Sequence, residues 1–223
     1  ARAYISYSNN TSDKWKGFGK QKQQQVNFKA VQPVGAEGSL TGWLSWSKRR
    51  ENDYQDMSLE MIDRLGYDWD NISNNWNYMV ALSEIANNRG DTGVTPAHPE
   101  FGKAYPAPIK SIDDAYTNAA GLRDDWVGAL TYEQAVGEML DFRITGYGHS
   151  DKGQGLWFTP YVPSPNYAVG GGRDDAPISI RTTEYDLQRF GVVAGATLHL
   201  GRHDLNAGVW YEDNAFNQAR RYY

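Results

Sequence analysis

Apolar and polar residues alternate with a period of two in several blocks of the chain, the spacing that sends successive side chains to opposite faces of a β-strand. In the clearest block Phe190, Val192, Ala194, Ala196, Leu198 and Leu200 share one face, against Arg189, Gly191, Val193, Gly195, Thr197 and His199 on the other. After a turn at Gly201-Arg202-His203-Asp204, Leu205, Ala207, Val209 and Tyr211 repeat the scheme against Asn206, Gly208, Trp210 and Glu212. Leu140, Phe142 and Ile144 alternate with Asp141, Arg143 and Thr145 after a turn expected at residues 134–137; Trp126, Gly128, Leu130 and Tyr132 share a face before it. Val26, Phe28 and Ala30, then Leu40, Leu44 and Trp46, flank a turn at residues 35–38, and Ala3, Ile5 and Tyr7 open the chain. Seven strands are expected, joined in part by tight hairpins.

The remaining connections are long: residues 9–20, 51–123 and 150–181. The middle one has helical spacing over 75–88 through Trp76, Met79, Val80 and Ile85, closed by Gly90. Ser111 and Asp114 have the spacing of a capping-box variant opening another short helix, and Pro96, Pro99, Pro106 and Pro108 keep the stretch between irregular. The last connection carries Pro160, Pro163 and Pro165, with Gly170-Gly171-Gly172 read as a flexible loop tip.

A meander with one apolar and one polar face has two physical homes. In a soluble sandwich the apolar face meets a second sheet; in an outer-membrane barrel it meets lipid, with short turns at one end and long loops at the other. The small and polar residues of the second face, and aromatics near strand ends (Tyr7, Trp46, Trp126, Tyr132, Tyr211), favour the barrel over a soluble ligand- or carbohydrate-binding module. Composition agrees. There are 8 Trp, 15 Tyr and 7 Phe, and a net charge of -5 provides no global basic field for nucleic acid. The absence of cysteine excludes disulfides, thiolate metal sites and a cysteine nucleophile. A mean hydropathy of -0.68 with no 18-residue apolar run excludes a spanning helix but not spanning strands. The opening residues lack the basic and apolar regions of a signal peptide.

The stretches RDDWVGALTYEQ, GQGLWFTPYVPSPN and RTTEYDLQRFGVVAGATLHLGRHDLNAGVWYEDNAFNQARRYY resemble the barrel of TonB-dependent outer-membrane receptors. The likeness is specific over residues 123–223, looser over 1–50 and absent over 51–122. It implies an all-β antiparallel meander, part of a transmembrane outer-membrane β-barrel with long, partly helical extracellular loops at 51–123 and 150–181. It also implies a transporter, not an enzyme, that imports a scarce nutrient of the siderophore, cobalamin, metal-chelate or oligosaccharide class. Its partners would be membrane lipid, lipopolysaccharide, a plug domain of the same polypeptide and, through the plug, the TonB system. Neither a plug nor a TonB box is found in residues 1–223, so the chain is expected to be about seven strands of a longer polypeptide.

Candidate chemistry is sparse. The four histidines form no close ligand pair; His199 and His203 read as turn-side polar residues, and no metal or cofactor is expected. An outer-membrane hydrolase would need a Ser-His-Asp constellation, but in His149-Ser150-Asp151 strand alternation sends the serine away from its neighbours. Tyr67-Asp68-Trp69-Asp70-Asn71 is a partial calcium-loop pattern, read as a solvated loop. Lys48-Arg49-Arg50 reads as a solvated strand end, the alternative being a contact with lipopolysaccharide phosphate. Ligand capture is expected from loop aromatics, Trp157, Phe158, Tyr161, Tyr167 and Trp69, with Arg181 and Glu184 orienting polar groups.

Overall fold

A computed structural model describes residues 1–70, 75–167 and 175–223. The chain forms one open antiparallel sheet of seven strands in chain order: β1 (Arg2–Asp13), β2 (Lys20–Val34), β3 (Gly38–Asn52), β4 (Ala120–Val136), β5 (Leu140–Thr159), β6 (Ser179–Leu200) and β7 (His203–Tyr222). Among the described residues, β1 and β7 are each paired on one side only. The expected seven-strand antiparallel meander is present, and it does not close into a barrel.

The strands run beyond the limits that alternation marks. β5 continues to Thr159 and β6 begins at Ser179, so the last of the three long connections shrinks to residues 160–178, and the first to 14–19. Trp157, Phe158, Arg181 and Glu184 therefore stand on strands. Above the apolar stretch both faces mix polar and apolar residues, so no contrast in side-chain type betrays the strand there. The turn expected at 134–137 falls at 137–139, where Gly137 takes φ +63°, a left-handed conformation favouring glycine.

The register sorts the side chains cleanly. Ile5, Phe28, Leu44, Gly128, Gly148 and Phe190 lie in one cross-strand row, and Tyr7, Val26, Trp46 and Trp126 in the next. With Ala3, Ala30, Leu130, Ile144, Val192, Ala194, Ala196, Leu198, Leu205, Ala207 and Val209 they make an apolar band over one face of all seven strands. The band is bare: Ile5 is 72% and Val209 74% exposed. Toward the long connections it gives way to a row with no apolar member, Asn9, Gln24, Lys48, Asp124, Lys152, Asp186 and Asn217. The band drifts against the register. The row of Val34, where β2 ends, meets β6 at Ala196, four residues before that strand stops. The row of Trp46, at the band's other edge on β3, meets β7 at Ala215, four residues past Tyr211.

The buried apolar cluster lies off the band. Met79, Leu82, Ala86, Ile109, Ile112, Ala115 and Ile178, from the connections, close around Phe158 at the end of β5. Residues 53–119 supply α1 (Leu59–Leu65) and α2 (Trp76–Arg89). The expected helix at 75–88 is α2, capped by the Asn75 side chain and ended at Gly90 with φ +85°. The capping box forms at Ser111 and Asp114 but opens a single 3-10 turn. Among the described residues no helix is long and apolar enough to cross a membrane. The glycine run 170–172 lies outside the described residues.

Candidate functional site

The polar face carries cross-strand networks. The Arg189 guanidinium donates from Nε to His149 Nδ1 at 3.1 Å, which leaves the imidazole proton on Nε2 to bond Asp125 Oδ1 at 2.8 Å. Ser150 sits in the opposite face from His149 and Asp151, so this tripeptide builds no hydrolase triad. The Tyr147 hydroxyl donates to Glu212 at 2.5 Å and accepts from the Trp210 indole at 2.9 Å. Its ring lies across Gly191, directly opposite in the register, where a Cβ has no room. His199 bridges Asp141 and Asp204 at 3.0 and 2.8 Å beside the last turn. Among the described residues no cluster of three or more His, Asp or Glu could hold a metal ion.

A cavity of about 600 Å³ opens where the long connections meet the ends of β5 and β6. Three chain segments wall it: Asp53 to Met61, Ile112 to Tyr116, and the strand ends with Pro160 and Tyr161. Trp157 and Arg181 are cross-strand partners, with the guanidinium 4.3 Å over the indole ring. Tyr116 tilts against Trp157 at 6.3 Å. The Tyr161 hydroxyl donates to Asp113 at 2.7 Å, and burial with that carboxylate pushes its pKa up to about 12. Burial, then the charges of Asp53 and Asp56, likewise raise Tyr116.

The wall is braced from behind. Asp70 is not solvated as the calcium-like pattern is read: it is buried in an ion pair with Lys14 and accepts from the Gln55 backbone N–H at 2.7 Å. Asn71, the last residue of that pattern, lies outside the described residues. The Gln55 side-chain amide donates to the Asp113 carbonyl at 2.7 Å, tying two walls together. Asp114 takes both Arg64 nitrogens at 2.8 and 2.9 Å and the backbone N–H groups of Lys110 and Ser111. Burial works to raise this carboxyl, but the guanidinium and the backbone donors together hold it below the usual range.

Of the residues singled out from sequence, Trp157, Phe158, Tyr161 and Arg181 come together at the cavity, with Phe158 also 97% buried in the loop core at 3% exposure. Tyr167 is buried apart from it, donating to Glu84 at 2.6 Å and accepting from Asn87 at 3.0 Å. Trp69 packs on the loop core and donates to the Asp114 carbonyl at 2.8 Å. Glu184 faces the other side of the sheet from Arg181, bonded to Thr182, Tyr223 and Arg221, so the two cannot grip one ligand group together. Lys48 and Arg50 lie on the face of the apolar band, and Arg49 on the other.

No protein-family model and no curated protein matches the chain. The geometry alone carries the functional argument. Sequence reasoning missed Asp53, Gln55, Asp56, Asp113 and Tyr116, because they belong to a connection with no periodic signal to say which parts return to the strands.

Proposed function

We propose that this chain is part of the wall of a TonB-dependent outer-membrane receptor, with its long connections outside the cell capturing a nutrient. One observation carries the reading: the exposed apolar band that crosses all seven strands on one face. On β6 it runs from Phe190 to Leu200, eleven residues, against roughly 9–11 for a membrane-crossing strand. Tyr7, Trp46, Trp126 and Tyr211 mark its border toward the connections, the place of an interfacial aromatic girdle. The opposite face carries polar cross-strand networks. A soluble sandwich would cover the band with a second sheet, and no second sheet exists among the described residues. Further strands beside β1 and β7 would satisfy their outer ladders.

The cavity at the strand ends fits the capture role. It stands on strand ends, is walled by loops held in place by buried contacts, and presents aromatic area with polar groups between. Fractionation of native cells tests the reading. The protein is expected in the outer membrane, soluble only with detergent, and migrating faster unheated than boiled on a denaturing gel. A detergent-free soluble protein with no such shift would overturn it.

A further inference from the structure

We infer that the cavity at the ends of β5 and β6 takes a neutral oligosaccharide, an inference that rests on reading this cavity as the capture site. Three carboxylates, Asp53, Asp56 and Asp113, line it against one guanidinium, Arg181. That balance repels anionic ligands such as ferric catecholates and carboxylates. A cationic ligand meets a different obstacle. The aromatic slot where it would settle already holds a positive group, with Arg181 4.3 Å from the Trp157 ring centroid. A ligand without net charge avoids both repulsions.

The hydrogen-bonding inventory narrows the class. The cavity is rich in acceptors: three carboxylates and the threonine hydroxyls of Thr159 and Thr183. Gln55 stands behind these groups: it is 7% exposed, and its amide nitrogen is spent on the Asp113 carbonyl, which braces the wall. The complementary molecule has many hydroxyl donors, some acceptors for Arg181, and flat C–H faces for Trp157, Tyr116 and Tyr161. A sugar chain has all three. At about 600 Å³ the space lies inside the ~300–1,000 Å³ range of small-molecule sites, enough for about two or three rings.

The test uses the intact receptor purified in detergent, with tryptophan fluorescence and calorimetry as readouts. The probes are neutral trisaccharides (maltotriose, cellotriose, xylotriose and laminaritriose), a ferric tris-catecholate and triarginine. At least one trisaccharide should bind saturably, with an affinity unmoved by added salt because no net charge is neutralised. Trp157→Ala should weaken it by about tenfold or more, as for a central aromatic contact. Trp157→Phe should restore part of the loss, which separates contact from misfolding, and Asp56→Asn should weaken binding without altering the protein's migration on the gel. Failure of all four trisaccharides, preferential binding of either charged probe, or binding indifferent to both Trp157→Ala and Asp56→Asn would overturn the inference. Heat-modifiable migration of the same preparation reports the barrel independently, so sugar binding without that shift would refute the membrane reading and leave this one standing.

Discussion

At the scale of single residues, parity along a strand decides what a side chain can do. Ala194 and Gly195 are neighbours in sequence, but one lies mid-band on the apolar face and the other on the polar face, where an added Cβ meets only the Ala207 carbonyl at 3.6 Å. Arginine at Ala194 should cost about 2–4 kcal/mol in reversible unfolding from lipid vesicles, and at Gly195 much less. Equal costs would mean that the band does not face hydrocarbon. The same parity explains the fate of the expected ligand pair. Arg181 and Glu184 are three positions apart, an odd spacing, so a strand starting at Ser179 drives them to opposite faces. This was legible in principle, but only after knowing that the strand starts so early. Gly191 offers a second check: Gly191→Ala should displace Tyr147 and break its bonds to Glu212 and Trp210, seen as loss of a protected tyrosine environment in ultraviolet difference spectra.

At the scale of elements, the connections carry the dry core and hence their own titration. Glu84 on α2 is buried, and burial, opposed by its bond from Tyr167, raises its pKa above that of an exposed glutamate. A raised carboxyl stabilises the fold below its ordinary value and loses that contribution as pH climbs through the raised one. Asp114 runs the other way, its contribution present above the ordinary value and lost as pH falls through the depressed one. Amide protection in α2, after correction for the intrinsic pH dependence of exchange, should therefore rise on mild acidification and fall in stronger acid. Glu84→Gln should abolish the first limb and keep the second. An unchanged profile in that variant would remove Glu84 as its source. Within the elements, the sequence shows α2 and the band portions of the strands plainly, since one apolar face imposes a period. It hides the strand ends and the path of residues 53–119, where caps, ion pairs such as Lys14 with Asp70, and the Arg64 to Asp114 bridge set the course one contact at a time.

At the scale of the molecule, all the long connections leave one end of the sheet and the tight turns the other. The chain has no cysteine, so single replacements report sidedness cleanly. A cysteine at exposed Lys103 should react with an impermeant reagent on whole cells, and one at exposed Arg202 should not; the reverse pattern would invert the assignment. The drift of the apolar band has a further consequence. Four residues over the four steps from β2 to β6, and again from β3 to β7, is a slip of one residue per strand. With a rise of about 3.3 Å per residue and about 4.8 Å between strands, the strands must lean by about 35° for the band to lie level, at the lower end of the inclination of closed barrels. Polarised infrared absorption of oriented bilayers carrying the protein should give an amide dichroism near that angle. The slant is written into the sheet by side-chain placement alone.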